Sequence, residues 1–339
     1  MNVRLSSDRD KEQWDAYVAQ KGRGNFSLVY DWRKIFKEAY GLTSFYLSLW
    51  DGGELHGIFP LVKISKKPFI NRLISLPYLN HGGLYADHPQ FQEELLQEAK
   101  RLLRDENLKS LELRQARPLV EGETPLPIYW TLQLSLEETE EKQWKALSAK
   151  VRNLVRKGRN KGLIVRRGPD YLDAFYQIYA ANMRDLGTPV HSKIWFATIL
   201  ATFPREVEIL VVFSDDQPIA SMFLFKYQSG LWDLWASSLR KYHHLAPNMF
   251  LYWEAIHFGV KYNFQYLDFG RSHYNDRTFQ FKKQWGANPK PLYYTNINFW
   301  GSLPLQEPKK QYAYLAPLWQ RLPLSLTLKI GPHIRPLLP

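Results

Sequence analysis

The same order of secondary-structure elements occurs twice in this chain of 339 residues. Apolar periodicity predicts a strand, two helices, three antiparallel strands, a helix and two further strands between residues 2 and 135. The same order follows between residues 163 and 299. An order repeated at half the chain length indicates an internal duplication. We therefore predict an α+β fold of two similar modules, with mixed, mostly antiparallel sheets flanked by helices.

The predicted modules span residues 1–136 and 137–301, and a proline-rich tail follows at 302–339. In the first module, Asp51-Gly52-Gly53 predicts a hairpin turn, because both glycines tolerate positive φ. We expect the tail to pack on the body of the protein. The alternative is peripheral contact with a membrane surface, with Arg321 and Lys329 facing the headgroups.

Composition excludes several classes of function. The chain has no cysteine, which removes disulfides, thiolate nucleophiles and cysteine-rich zinc sites. Its nine histidines show no metal-ligand spacing, so we expect no catalytic metal. The sequence also lacks GxSxG, HExxH, P-loop and Rossmann motifs. No segment reads as a secretion signal or a membrane span, which predicts a cytoplasmic protein, with the inner face of the membrane as an alternative location.

The formal net charge of +12 favours anionic partners such as phosphates, nucleotides, RNA or an acidic membrane surface. It is concentrated between Lys142 and Pro169, a stretch with no acidic residue. On a single helix from about Glu141 to Lys161, four cations would form one stripe beside an apolar face. Guanidinium groups match phosphate oxygens, so the stripe predicts anion binding, with a solvated basic face as the alternative. The four cations are Lys145, Arg152, Arg156 and Arg159.

Two further clusters contain candidate site residues. The first is ASSLRKYHHLAPNMF, where a helix N-terminus follows a strand and offers amide groups to an anion. The second is QYLDFGRSHYNDRTFQFKKQWG, where apolar and charged residues are mixed too closely for a simple core strand. Ordinary surface residues and an Asp that caps a turn are the alternatives. The candidates are Arg240, His244, Asn248, Asp268, Arg271, His273, Tyr274, Phe281, Lys282 and Trp285.

Taken with segments elsewhere in the chain, these clusters resemble the FemAB-related proteins, and specifically those associated with exosortase and PEP-CTERM exopolysaccharide systems. The matching segments include SLPYLNHGGLYAD, LSAKVRNLVRKGRNKGL, MRDLGTPVHSKIWF, LAPNMFLYWEAIHFG, YLDFGRS and FQFKKQWGANPKPLYY. The resemblance implies a tandem duplicated GNAT fold, with a BioF2-like acetyltransferase domain in the second module. It also implies N-acyltransferase activity.

The resemblance further implies the substrates. Family members transfer an acyl or aminoacyl group to an amine of a lipid-linked or UDP-linked cell-envelope precursor, from acyl-CoA or from aminoacyl-tRNA. Phe281-Lys282 resembles the FK pair near the acyl site, and Arg152 and Arg156 resemble the basic residues of the inter-module helix. The (Q/R)xxGxG signature for coenzyme A and the long coiled-coil insertion for tRNA are both missing from this sequence. The donor therefore stays open, and no DNA partner is expected.

The expected mechanism is direct attack by a neutral amine on an activated carbonyl. Backbone amides near Ser237 to Leu239 would hold the oxyanion, while Lys282 and Arg271 offset its negative charge. Asp268, His273 or Tyr274 would accept the proton. The alternative function is a non-catalytic protein that binds nucleic acid, or a membrane surface, through its basic helix or its tail.

Overall fold

A computed structural model of the protein describes residues 1–22, 24–66, 70–118, 127–298, 301–304 and 313–338. The chain forms two units, and each unit consists of segments that are not contiguous in sequence. One consists of Met1–Trp130, Pro291–Glu307 and Pro336–Pro339, and the other of Thr131–Lys290 and Pro308–Arg335. The predicted order of elements is confirmed in both halves of the chain. The predicted module boundaries at residues 136 and 301 stay predictions.

The first unit contains one sheet with helices packed on it. The sheet has the order β1-β2-β3-β4-β6-β13, and its neighbours are antiparallel except for β4 and β6. Leu61, Leu95 and Leu111 are among the residues of its apolar core. The elements are β1 Asn2–Leu5, α1 Lys11–Lys21, α2 Trp32–Tyr40, β2 Thr43–Asp51, β3 Glu54–Lys66, β4 Ile70–Ile74, β5 Tyr85–Ala86, α3 Pro89–Asp105, β6 Ser110–Gln115 and the later β13 Asn288–Asn298 and β14 Gly301–Pro304.

The predicted hairpin turn in the first unit is confirmed. Gly52 and Gly53 have φ values of 56° and 88°, in the left-handed region that glycine adopts without a steric penalty. The strands that they join, β2 and β3, pair in antiparallel register from Asp51 opposite Glu54 to Thr43 opposite Lys63.

The second unit repeats the pattern around a sheet of order β7-β12-β11-β10-β9-β8. The pairs β8–β9, β9–β10 and β10–β11 are antiparallel, whereas β11 and β12 are parallel. Helix α8 is buried along most of its length. The elements are β7 Tyr129–Ser135, α4 Glu140–Ala146, α5 Ala149–Asn160, β8 Ile164–Arg167, α6 Leu172–Asp185, α7 Lys193–Thr202, β9 Val207–Ser214, β10 Gln217–Tyr227, β11 Gly230–Ser238, α8 Pro247–Lys261, β12 Tyr266–His273 and α9 Arg277–Lys283.

The prediction of one continuous basic helix was wrong, because the segment forms two helices, α4 and α5. Leu147 between them is extended, with φ −72° and ψ 144°. Ser148 caps α5, since its hydroxyl accepts a hydrogen bond from the Val151 amide at 3.3 Å. Serine favours such caps because its side chain satisfies an amide that has no partner within the helix. Lys145 therefore lies on α4, and the arginine stripe belongs to α5 alone.

The tail forms β14 in the first unit and two helices in the second, α10 Ala316–Arg321 and α11 Leu324–Ile334. These helices pack on the segment that follows α6. A Cβ atom added to Gly187 would lie 2.6 Å from the Ala316 Cβ, and one added to Gly331 would lie 2.9 Å from a Val190 methyl group. Both glycines therefore permit a close approach. Residues 305–312 of the predicted tail lie outside the described residues.

Candidate active site

Strands β11 and β12 separate part-way along their length. They pair only from Gly230–Trp232 to Tyr266–Asp268, although β11 continues to Ser238 and β12 to His273. Beyond Trp232 and Asp268, the facing edges of β11 and β12 are not paired with each other. Backbone N–H and C=O groups on such edges are available to a ligand. The gap between these strand ends is where the remaining features of the site lie.

The backbone geometry at the end of β11 assigns one amide to this gap. The Leu239 amide donates to the Ile219 carbonyl at 2.9 Å, on the β10 side. Ser238 pairs with Ala220 in the same antiparallel ladder. Because successive residues of a strand direct their amides to opposite edges, the Ser238 amide points toward β12. Of the amides expected near residues 237–239, the Ser238 amide therefore faces the gap, whereas the Leu239 amide is used by the sheet.

Lys282 lies on α9, where its ammonium group is anchored to the separated part of β12. The side chain is buried, and its Nζ donates to the carbonyls of Gly270 at 2.9 Å and Arg271 at 3.0 Å. Asp276 caps α9 by accepting from the Phe279 amide at 2.6 Å, which fixes the start of the helix. An ammonium group has three donors, so one N–H of Lys282 remains for a further acceptor.

The charge of Lys282 depends on its surroundings. Burial lowers the pKa of its ammonium group to about 8, while Asp233, Asp268 and Asp276 act in the opposite direction. The positive charge of Arg271 acts in the same direction as burial. Desolvation disfavours the charged form, and opposite charges favour it. Lys282 is therefore mostly charged at neutral pH, and this state depends on the surrounding carboxylates.

Asp233 is a functional candidate that the sequence interpretation missed. It follows directly after the last β11 residue paired with β12, and its Oδ2 accepts from the Tyr252 hydroxyl at 2.5 Å. Burial raises the pKa of Asp233 to about 6, although Tyr252 and the charge of Lys282 act against this rise. Among the described residues its buried Oδ1 has no hydrogen-bond partner. The available signal was an acidic residue inside the apolar run LWDLW.

Asp268 is the last β12 residue paired with β11, opposite Trp232, and both of its oxygens already accept hydrogen bonds. Oδ1 accepts from the Thr131 hydroxyl at 2.5 Å and the Gly270 amide at 2.7 Å, and Oδ2 accepts from Gln133 Nε2 at 3.1 Å. The contacts with Thr131 and Gln133 connect β7 to β12. Asp268 therefore supports the strands and supplies negative charge, and its assignment as a base stays a prediction.

The other predicted residues of this cluster lie on β12, on α9 or close to them. Phe281 packs edge-on against Tyr252 at 5.1 Å between ring centroids, and buried Trp285 lies 6.2 Å from the same ring. Exposed Tyr274 packs against Phe279 at 5.2 Å. Arg271 and His273 are half-buried on β12. The structure thus brings Lys282, Asp268, Arg271, Phe281 and Trp285 together around Asp233 and Tyr252.

The remaining predicted residues belong to two other parts of the second unit. Arg240 and His244 are exposed on a short 3₁₀ helix, Arg240–Leu245, that precedes α8, and half-buried Asn248 is the second residue of α8. Arg152 and Arg156 lie on α5, where Arg156 is 5.4 Å from the Trp144 ring and donates to Asn153 at 3.1 Å. Arg152 Nε is buried without a partner among the described residues. These residues therefore belong to elements other than β12 and α9, which carry the Lys282 cluster.

Residues 145–283 match a family model described as an acetyltransferase (GNAT) domain. The chain contains a GNAT acetyltransferase domain. Lys282, Asp233 and the separated strands all fall within the matched residues, and the GNAT domain makes this protein an acyltransferase. In the described part of the chain, no group of acidic or histidine side chains is arranged to hold a metal ion. The same residues include no helix of the length and apolar character that a bilayer crossing requires.

Solved structures show that the GNAT domain belongs to a tandem arrangement. FemX superimposes with a TM-score of 0.64 at 13% identity, covering 93% of this chain and all of that one. A tandem GNAT protein from the clavulanic acid pathway gives 0.57 at 10% identity, covering 88% and 98%. The C-terminal domain of a putative lysylphosphatidylglycerol synthetase from Agrobacterium fabrum also gives 0.57, at 12% identity, covering 96% and 97%. No curated protein sequence matches the chain. The predicted tandem GNAT fold is confirmed, and the exosortase association stays a prediction.

Proposed function

We propose that the protein is an N-acyltransferase of the FemAB type, which transfers an acyl or aminoacyl group to an amine of a cell-envelope or exopolysaccharide precursor. The observation that carries the proposal is the buried ammonium group of Lys282 beside the gap between β11 and β12. It lies within a GNAT domain and keeps one donor for a ligand. A positive donor held out of water stabilises an oxyanion more strongly than the same group in water.

In the proposed reaction, the donor carbonyl lies between the Ser238 amide and Lys282 Nζ. A neutral amine attacks this carbonyl, and negative charge develops on its oxygen. The two donors stabilise that charge without rearranging, because the β10 ladder fixes one and the β12 carbonyls fix the other. Collapse of the tetrahedral intermediate breaks the carbon–sulfur bond of a thioester or the carbon–oxygen bond of an ester and leaves the amide. The carrier departs as a thiolate or alkoxide, which takes up the proton lost by the amine. No covalent intermediate with the protein is required.

Proton removal from the attacking amine is assigned to His273 or Tyr274 rather than to Asp268. Asp268 is buried and accepts three hydrogen bonds, whereas Tyr274 is exposed and His273 ends β12. Loss of a general base typically costs about 10²- to 10⁴-fold in rate. We expect His273→Gln or Tyr274→Phe to show a loss of this size. If both variants keep the wild-type rate, the base lies elsewhere.

The donor is proposed to be an acyl thioester or an aminoacyl ester with an anionic carrier, which means acyl-CoA or aminoacyl-tRNA. Exposed Arg240 on the loop before α8, and Arg152 and Arg156 on α5, offer cations for phosphate groups. The acceptor is proposed to be a lipid-linked or UDP-linked amine. The similar structures include FemX and the C-terminal domain of a putative lysylphosphatidylglycerol synthetase, and both names are consistent with a cell-envelope substrate.

A two-donor assay tests the proposal. Purified protein is incubated with a panel of acyl-CoA thioesters or with charged tRNA, together with amino-sugar, UDP-linked and lipid-linked amines, and products are identified by mass spectrometry. We expect protein-dependent formation of an amide with one donor class. Protein-dependent transfer to hydroxyl acceptors only would contradict the N-acyl assignment. Failure of every donor and acceptor, with the protein shown to be folded, would count against acyl transfer itself.

A further inference from the structure

Exposed apolar side chains are concentrated on one part of the second unit. Among the described residues, eleven large apolar side chains are exposed, and six of these lie in the two segments 186–194 and 314–326. The two segments belong to one surface, since Ala316 packs on Gly187 and Gln320 Nε2 donates to the Asp185 carbonyl at 3.1 Å. We call these six residues the apolar patch. Its members are Leu186, Ile194, Tyr314, Leu315, Leu318 and Leu326, which are 41% to 70% exposed.

The chain around the apolar patch is basic. The sequence from Pro308 to Pro339 contains five Lys and Arg residues and no Asp or Glu. Arg321 and Lys329, on α10 and α11, are exposed and take part in no described salt bridge. The two acidic side chains of α6 are already paired, Asp185 with Arg184 at 2.7 Å and Asp173 with Lys193 at 2.5 Å. The surface therefore combines apolar side chains with uncompensated positive charge.

We propose that the apolar patch docks the protein on an anionic lipid bilayer. Short helices with exposed leucines and flanking cations lie in the interfacial plane, with the apolar side chains below the headgroups and the cations among the phosphates. Arg321 and Lys329 are placed to contact lipid phosphates on either side of Leu326. A second copy of the chain fits this surface poorly, because a twofold contact would bring the same cations together. An anionic bilayer satisfies both the apolar and the charged components.

The position of the patch gives docking a consequence for catalysis. The Asp185 carbonyl accepts from Gln320 on α10 and also from Arg240 Nη2, at 3.4 Å, on the loop before α8. Helix α10 therefore lies beside the loop that follows the β11 end of the site. Docking would place this loop, and with it the β11 end of the site, at the level of the lipid headgroups, where the reactive amine of a lipid-linked substrate is located. This consequence rests on the proposed function, whereas lipid binding itself does not depend on acyl transfer.

Point variants of the whole chain test the docking surface. Truncation at Ser302 is unsuitable, because it removes β14 and the packing of α11 around Gly331 and buried Thr327. One variant replaces three exposed leucines with serine (Leu315, Leu318 and Leu326), and a second changes Arg321 and Lys329 to Gln. Matched controls are Ile164→Ser, another exposed apolar residue, and Lys34→Gln with Lys37→Gln on α2. Circular dichroism and thermal unfolding confirm that each variant is folded.

Binding is measured by co-flotation with vesicles of phosphatidylcholine alone or with 30% phosphatidylglycerol. We expect wild-type protein and the controls to bind the anionic vesicles only. Removing two cations should weaken binding about 30-fold, at roughly fivefold for each charge near such a surface. Removing three leucine side chains should weaken it by about tenfold or more, since each withdraws apolar area from the bilayer.

Several outcomes would overturn the inference. The inference is wrong if the wild-type protein does not bind the anionic vesicles. It is also wrong if binding survives the leucine substitutions. A concentration-dependent dimer that disappears in the leucine variant, without vesicle binding, would show that a second copy covers the patch. None of these results concerns amide formation, so the failure of docking and the failure of the proposed reaction are distinguishable.

Discussion

The charge of Lys282 should depend on Asp233, and Asp233→Asn tests this dependence. The substitution removes a negative charge but keeps a similar shape and an oxygen that can accept from the Tyr252 hydroxyl. Asp233 is the foremost of the three carboxylates that raise the pKa of Lys282 against the effect of burial. Without it, burial and Arg271 are opposed only by Asp268 and Asp276. The pKa of Lys282 should therefore fall below its wild-type value.

The size of this fall follows from general electrostatics. An opposite charge within ~4–6 Å changes a pKa by about 1 to 3 units, so we take the lower end. A fall from about 8 to about 7 reduces the charged fraction of Lys282 from ~0.76 to ~0.24 at pH 7.5. At pH 8.5 the same fall reduces the charged fraction about eightfold. If only the charged form stabilises the oxyanion, the transfer rate should fall by the same factors.

The pKa of Lys282 can be measured without knowing the substrate. Protein containing ¹³Cε-lysine is titrated from pH 6 to pH 10 by NMR, and the Lys282 signal is identified by its absence in Lys282→Arg. The wild-type signal should titrate near pH 8, and the Asp233→Asn signal at least about one unit lower. Asp216→Asn, at an exposed carboxylate on the β9–β10 turn, should leave the titration unchanged. A Lys282 titration that is the same in Asp233→Asn and wild type would show that Asp233 does not set the charge of Lys282.

Three structural predictions concern stability. Asp268→Asn should lower the free energy of unfolding by about 3 kcal/mol, because the new amide nitrogen would face the Thr131 hydroxyl or the Gly270 amide, which now donate to the carboxylate. Urea titrations measure this loss. An unchanged urea midpoint would contradict the supporting role of Asp268. Ser148→Ala should cost about 1 kcal/mol through loss of the α5 cap, and Thr139→Ala on α4 offers a matched cap for comparison. Gly187→Ala should loosen α10, because Gly187 has a positive φ and its added Cβ would lie too close to Ala316. We expect faster amide exchange in residues 316–334 of the variant. Equal protection in the variant and the wild type would show that the contact tolerates a methyl group.

The order of elements was predictable because it depends on local signals. Apolar periodicity, the Asp51-Gly52-Gly53 turn and Gly41 after α2 are all readable within a few residues. The break between α4 and α5 was also marked locally, by Ser148, but the helical periodicity on both sides concealed it. The cap of α5 uses one hydroxyl group, that of Ser148. The chain changes direction there, but the apolar pattern continues on both sides of the break.

The chemistry around Lys282 was only partly predictable. The cluster on β12 and α9 is contiguous in sequence, so Asp268, Arg271 and Lys282 could be grouped before their geometry was known. Asp233 is 49 positions before Lys282 and comes from another strand. Its pairing with Tyr252 depends on how β11 and α8 fold together, which no short sequence window contains. Residues joined only by tertiary structure are those that the sequence interpretation missed.

In the proposed reaction, the ammonium group of Lys282 stabilises the oxyanion of acyl transfer, and this role can be measured. The most direct measurement is the single-turnover rate of amide formation by Lys282→Met, with Lys283→Met as control, because Lys283 is the exposed neighbour on the same helix. Loss of one such stabiliser costs about 10²- to 10³-fold in rate. We predict a loss of that size in Lys282→Met and wild-type rates in Lys283→Met. A folded Lys282→Met protein that reacts within about twofold of the control would show that Lys282 does not stabilise the oxyanion.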